Sequence, residues 1–425
     1  MRIAQNSRLK AHSLLIFSSP HTSPTLSMNS GSTAFVLLSS GLVAIMTPGL
    51  AFFYGGLVKR NNVLTVMMQS MIAMGIVSVL WSLLTFSLAF GSDVNGIIGS
   101  LEFAFMHGVG LTPSTVYGPE VPFLAFFVFQ MMFAVITPAL ITGAFVDRMN
   151  FKAYLVFLIL WSIVVYAVLA HWVWGGGFIA KLGAIDFAGG TVVHISAGMA
   201  ALASVFVFGK RQQTSVRPHN IPFVALGTAL LWFGWYGFNA GSALAANGQA
   251  AAAFVNTQVA PAAAMIAWLF LAWIVDGKPS VVGPLVGAVV GLVAVTPAAG
   301  YVEPIGAMII GVFAAVACFF AMKFRAAMKW DDALDVWGCH GIGGIVGSIL
   351  TGVFAAKEVG GFSGLLEGNP AQFISNLEGT AISVVYAFVA TYVLLLIMKA
   401  CMKITVDPHD QQMIDKVLHG EEAYE

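Results

Sequence analysis

Runs of about twenty apolar residues, separated by short polar breaks, constrain this chain more than any other feature in it. A backbone that crosses hydrocarbon must satisfy its own N–H and C=O groups, which leaves only helices or a closed β-barrel. About twenty residues, rising 1.5 Å each, carry a helix across the roughly 30 Å core of a bilayer. The ten-residue alternating strands that a barrel requires are absent, so the chain reads as an all-α integral membrane protein. Its composition agrees. Only 9% of the 425 residues are charged, against about 25% in soluble domains, and the mean hydropathy is +0.88.

The segmentation gives eleven transmembrane helices, at 33–57, 63–90, 122–146, 153–175, 187–208, 221–243, 257–275, 281–297, 304–322, 336–355 and 376–400. With the first span starting outside, fourteen of the 19 basic residues fall in cytoplasmic breaks or at the C-terminal end. Only Lys181 and Lys357 fall outside, and Arg2, Arg8 and Lys10 precede the first span. The excess of inner basic residues predicts an N-out, C-in orientation, as an odd number of spans requires. Three domains follow: an N-terminal extension at 1–27, a membrane domain at 28–400 and a cytoplasmic tail at 401–425. The extension is either a weak signal peptide, its apolar stretch only Leu14 to Phe17, or a consequence of a start misassigned ahead of Met28.

Two histidines stand inside these spans, His194 in the fifth and His340 in the tenth, each eight residues after an aspartate, Asp186 and Asp332. Hydrocarbon offers a buried titratable ring no solvent partner, so an intramembrane histidine is a functional-site candidate. Other echoes carry the same five-span offset. Phe53, Tyr54, Gly55 and Gly56 match Trp235, Tyr236, Gly237 and Phe238, and Thr137-Pro138 matches Thr296-Pro297. The pattern predicts an inverted repeat of spans 1–5 and 6–10, with a site near the bilayer midplane where the halves meet. Glycines clustered within spans, such as Gly341 and Gly344, predict close helix contacts and a narrow conduit.

Other residues have both a plain and a functional reading. Phe129 and Phe133 lie four apart on one helical face, and aromatics at that spacing commonly fill a core. Trp174 precedes three glycines at the outer end of span 4, where an indole face can bind a cation. Asp186 at the head of span 5 reads as a helix cap that shapes the site through the backbone. Zinc requires three or four ligands, and no thiol cluster, carboxylate or third histidine shares the two histidine spans, so neither a metal nor a cofactor is expected. Cys318, Cys339 and Cys401 lack ligand spacing, and a net charge of +0 gives no indication of a nucleic-acid partner.

The runs DFAGGTVVHISAG from Asp186, WYGFNAGSA from Trp235, VTPAAGYVEP from Val295, DVWGCHGIGGIVG from Asp335 and HGEEAY from His419 resemble the ammonium transporter (Amt/Mep/Rh) family. The resemblance runs from about residue 30 nearly to the end. It implies an eleven-helix protomer with its own pore, assembled as a homotrimer in the cytoplasmic membrane. Matched by motif, Trp174, Phe129 and Ser242 look like the outer ammonium-recruitment site. Phe133 and Phe238 look like the stacked phenyl gate, His194 and His340 like the twin-histidine pair, and Asp186 like the family's structural aspartate. The charged tail resembles the one through which PII-type signalling proteins act at the cytoplasmic face.

The implied activity is ammonium transport. NH4+ is recruited outside and loses its proton near the gate, and NH3 passes the histidines, with net ammonium uptake. An electroneutral ammonia channel and an ammonium sensor with little transport are the alternatives. A membrane enzyme lacks a nucleophile or metal, and neither a potassium-type TVGYG filter nor paired NPA motifs occur.

Overall fold

A computed structural model describes residues 27–212 and 217–424, so the expected extension at 1–27 lies outside the described residues except for its last position. Among the described residues, ten helices are long and apolar enough to cross a bilayer: α1 (Ser30–Leu57), α2 (Arg60–Phe90), α3 (Phe123–Phe145), α4 (Phe151–Lys181), α5 (Gly190–Phe208), α6 (Ile221–Gly241), α7 (Gly248–Asp276), α9 (Pro304–Ala327), α10 (Trp337–Phe354) and α11 (Pro370–Cys401). Between α7 and α9 lies a shorter apolar helix, α8 (Val282–Val295), of 14 residues. The protein is an all-α, multi-pass membrane protein.

The differences from the expected boundaries have local causes. Helix α7 starts at Gly248, ahead of the expected 257, because the Asn247 side chain accepts the Ala250 N–H and an alanine run follows. Helix α11 starts at Pro370, ahead of 376, with proline at its first turn. Its polar start is buried and occupied. Asn376 donates to the carbonyls of Ile185 and Ser348, each at 3.0 Å, and Gln372 donates to Gly183 at 2.8 Å. Helix α8 stops at Val295, and the chain turns through Thr296–Val302 within the protein. There the Asn256 side chain donates to the carbonyls of Ala299 and Val302, supplying partners that a helix would otherwise provide.

Helices at the same position in the two expected halves pack directly on one another. A Cβ on Gly227 of α6 would lie 2.3 Å from the Phe53 nitrogen of α1, so only glycine permits that approach. Helices α5 and α10 cross as closely at Gly198 and Gly341. Both also begin with a π-helical turn, Gly190–Ile195 and Trp337–Gly341, and each turn carries one of the histidines. Such turns insert an extra residue into the helical ladder and recur at functional sites.

At the end of the bundle opposite Trp174, a buried ionic cluster joins three interhelical loops. Arg211 pairs with Asp331 at 2.8 Å and with Asp147 at 3.3 Å, while Arg148 donates to the Asp331 carbonyl at 2.8 Å. Burial lowers the Arg148 guanidinium to about 10, which leaves it charged at neutral pH. The tail is strapped across this end. Asn150 N–H donates to the Ile404 carbonyl, Asn62 donates to that of Gln411, and Asp415 accepts the N–H groups of Leu64 and Thr65.

Candidate functional site

Two cavities face each other across a pair of phenyl rings. The first, of about 330 Å³, opens at the Trp174 end and is lined by Phe126, Gln130, Trp174, Ser242 and Tyr301, among others. The second, of about 220 Å³, contains His194, His340, Trp235 and Phe238 and reaches Leu57, Pro218 and Asp335 at the tail end. Between them the rings of Phe133 and Phe238 lie 4.2 Å apart and 31° from parallel. Both are buried and their rings are in contact. The partition is therefore apolar, whereas both cavities have polar groups on their walls.

The cap of α5 shapes the first cavity. Asp186 Oδ1 accepts the N–H groups of Gly189 and Gly190, and Oδ2 accepts that of Thr191, all at 2.8 Å, together with the Thr191 hydroxyl. Gly189 makes this possible with φ +111°, a left-handed conformation that side chains resist. The carboxylate is thus committed to the backbone, and its carbonyl accepts the Trp174 Nε1–H at 2.9 Å. With its N–H engaged, the Trp174 indole has its face left for other contacts. The ring meets Phe133 edge-on at 5.9 Å.

Ser242, at the C-terminal end of α6, donates its hydroxyl to the Phe238 carbonyl at 2.9 Å, which leaves the oxygen lone pairs as acceptors toward the cavity. Phe129 is placed differently from its expected partners. It is fully buried behind Phe133, with ring centroids 5.0 Å apart, and packs against Gly241 instead of facing the cavity. Gln130, which the motif reading passed over, does line that cavity, and its buried Oε1 has no protein partner. A lone carboxamide between Phe129 and Phe133 was the available signal.

Beyond the phenyl pair, His194 and His340 meet through their Nδ1 atoms at 3.3 Å. One nitrogen must donate and the other accept, so the two rings hold opposite tautomers. His194 also stacks on Trp235 at 5.4 Å and lies 6.1 Å from Phe238. Trp235 is itself fixed by donation to Thr296 Oγ1 at 2.8 Å. His194 Nε2 is buried without a protein partner. The pair therefore offers a hydrogen-bonding edge within an otherwise aromatic and aliphatic wall. Among the described residues, no group of three or more His, Cys, Asp or Glu could hold a metal ion.

Asp332 mirrors Asp186 at the opposite end, accepting the Trp337 N–H at 2.7 Å at the head of the His340 helix. Asp335, which lines the mouth of the second cavity, is raised by burial to about 7 although Arg325 lies 2.6 Å away.

A profile described as the Ammonium Transporter Family matches residues 34–424. An ammonium transporter of Aquifex aeolicus is 48% identical over 97% of each chain, and ammonium transporter Amt1 of Archaeoglobus fulgidus is 44% identical over 93% of this chain and all of its own. Among solved structures, Saccharomyces cerevisiae Mep2 superposes with a TM-score of 0.83 at 34% identity, covering 88% of this chain and 87% of that one. A sensor Amt protein superposes at 0.84 with 26% identity, covering 90% of this chain and 96% of its own. With a profile match over nearly its whole length and relatives this similar along the full fold, the chain belongs to the ammonium transporter family.

Proposed function

We propose that this protein takes up ammonium by binding NH4+ in the Trp174 cavity, where it gives up its proton to water at the phenyl pair; NH3 then passes along the histidine cavity while the proton crosses by a separate route and re-forms NH4+ inside. The observation that carries the reading is the closed Phe133–Phe238 contact between two polar-lined cavities. An unpaired ion moved into such a dry partition meets a desolvation cost on the order of tens of kcal/mol before relaxation. Neutral NH3 avoids nearly all of it. Potassium cannot shed its charge, so the partition discriminates between two cations of similar size and hydration.

In the first cavity the Trp174 face offers a cation–π contact of roughly 0.5–2 kcal/mol. Ser242 and Gln130 add acceptors that suit a tetrahedral donor better than a spherical ion. Phe129 acts one layer back, by holding Phe133. Past the partition, the neutral edges of His194 and His340 receive NH3 without fixing a charge.

The wider assembly follows the same reading. Basic loops and the tail lie on the cytoplasmic side of the cell membrane, the Trp174 end faces outward, and three copies assemble as a homotrimer. The tail, laid across the loops at its end of the bundle, is where a PII-type protein acts.

Proteoliposomes holding the purified protein test the proposal. A step of ammonium or methylammonium should give a current that a potassium step does not. Ammonia flux without current would identify electroneutral conduction, and binding without flux would favour the sensor reading.

A further inference from the structure

His171 lies on α4 one turn before Trp174, fully buried and outside both cavities, and the transport reading assigns it no part. Its Nδ1 lies 3.0 Å from the Ala89 carbonyl and its Nε2 lies 2.9 Å from Asp93 Oδ1. Both partners are acceptors, so the ring bridges them by donating from its nitrogens. Asp93 is further held by Lys181 Nζ at 2.6 Å and by the Gly96 N–H at 2.8 Å. Hydrogen bonds from His171 and Lys181 keep its carboxyl at about 2, hence ionised.

The two acceptors adjoin Phe90, on the other wall of the first cavity. Ala89 precedes Phe90, which lines that cavity, and Asp93 opens a small hairpin, Asp93–Val94 paired with Ile98–Gly99. The same hairpin accepts the Trp172 indole N–H at the Ile97 carbonyl, at 2.7 Å, and the Phe178 N–H at the Gly96 carbonyl, at 3.1 Å. The Trp174–Gly177 segment is thus pinned on both sides. Gly175 is fitted to the clamp, since a Cβ there would lie 2.0 Å from the Ala89 oxygen and 2.6 Å from His171 Nδ1.

We propose that His171 is a positioning residue for substrate recruitment: by clamping the α2 end and the Asp93 hairpin to α4, it fixes the distance between Phe90 and the Trp174 indole without touching substrate. The proposal rests on the reading that the Trp174 cavity receives ammonium. A glutamine amide can reach one of the two acceptors but not both, and Asp93→Asn keeps an acceptor while removing the charge.

The test uses the full chain in proteoliposomes, with KM and maximal flux of methylammonium measured for His171→Gln, Asp93→Asn, the double variant and Trp174→Ala. We expect three- to tenfold higher KM in each clamp variant, maximal flux within about twofold of the parent, and a double variant no worse than the poorer single one, because both changes open one clamp. Unchanged KM in His171→Gln, or a fall in maximal flux at constant KM, overturns the proposal, as do KM increases that multiply in the double variant. If His171→Gln does not assemble, Asp93→Asn alone decides by the same criteria. Trp174→Ala separates the two claims: if its KM is unchanged, the recruitment reading fails, whatever the clamp variants do.

Discussion

Gly198 of α5 and Gly341 of α10 meet backbone to backbone, so that a Cβ on Gly198 would lie 2.1 Å from the Gly341 nitrogen. Gly341 follows His340 directly, and Gly198 sits one turn past His194. This approach is what lets the two imidazoles reach 3.3 Å. Gly198→Ala should push the helices apart, costing about 1–3 kcal/mol as overpacking does, and should lower flux more than the stability loss explains. Thermal unfolding in detergent beside methylammonium flux checks this. A variant with parental flux would show that the histidine contact does not depend on the crossing.

Much of this was legible because hydrocarbon imposes strong rules. The span pattern, the buried histidines and the repeated Asp-x7-His spacing each follow from what a low-dielectric medium tolerates, and Asp186 and Asp332 both prove to cap the helices that carry His194 and His340. What stayed hidden depended on partners distant in sequence. Gln372 fell outside the expected eleventh span and Asn376 stood at its very edge, because their polarity is satisfied by carbonyls of Ile185, Ser348 and Gly183, which no local pattern reveals. Phe129 and Phe133 share a helical face, yet only the position of Gly241 decides that one of them packs behind the other. His171 carries no local signal of its clamp, because its acceptors lie some eighty positions earlier.

Trp174→Ala and Ser242→Ala should both weaken recruitment while leaving the fold intact. Loss of a cation–π contact worth about 0.5–2 kcal/mol corresponds to a KM raised roughly two- to thirtyfold. Ser242→Ala removes an acceptor for a charged donor, worth about 1.5–3 kcal/mol, and so about tenfold or more. Concentration dependence of the methylammonium current gives both numbers. An unchanged KM in either variant removes that residue from the site.

Replacing Asp186 should separate capping from charge. Asp186→Ala strands three backbone N–H groups and the Thr191 hydroxyl, each costing about 1–3 kcal/mol when buried and unpaired. Asp186→Asn keeps one acceptor oxygen, enough for the Gly189 and Gly190 bonds, and should unfold at a temperature between the alanine variant and the parent. If the two variants are equally stable, the carboxylate is not holding the α5 cap.

His194→Asp tests the histidine pair most directly. An aspartate side chain is too short to keep both the contact to His340 Nδ1 and the stack on Trp235. It also places a carboxylate where the parent offers two imidazole rings, beside Trp235 and Phe238 in a cavity whose one other carboxylate, Asp335, lies at the mouth. A negative charge in such surroundings stabilises bare cations far more than it does in water, because the local dielectric is low. The variant should therefore conduct less ammonia and admit potassium, with the ammonium-to-potassium current ratio falling at least several-fold. Paired current recordings on ammonium and potassium steps measure that ratio, and parental flux with parental selectivity would show that His194 does not line the conducting path.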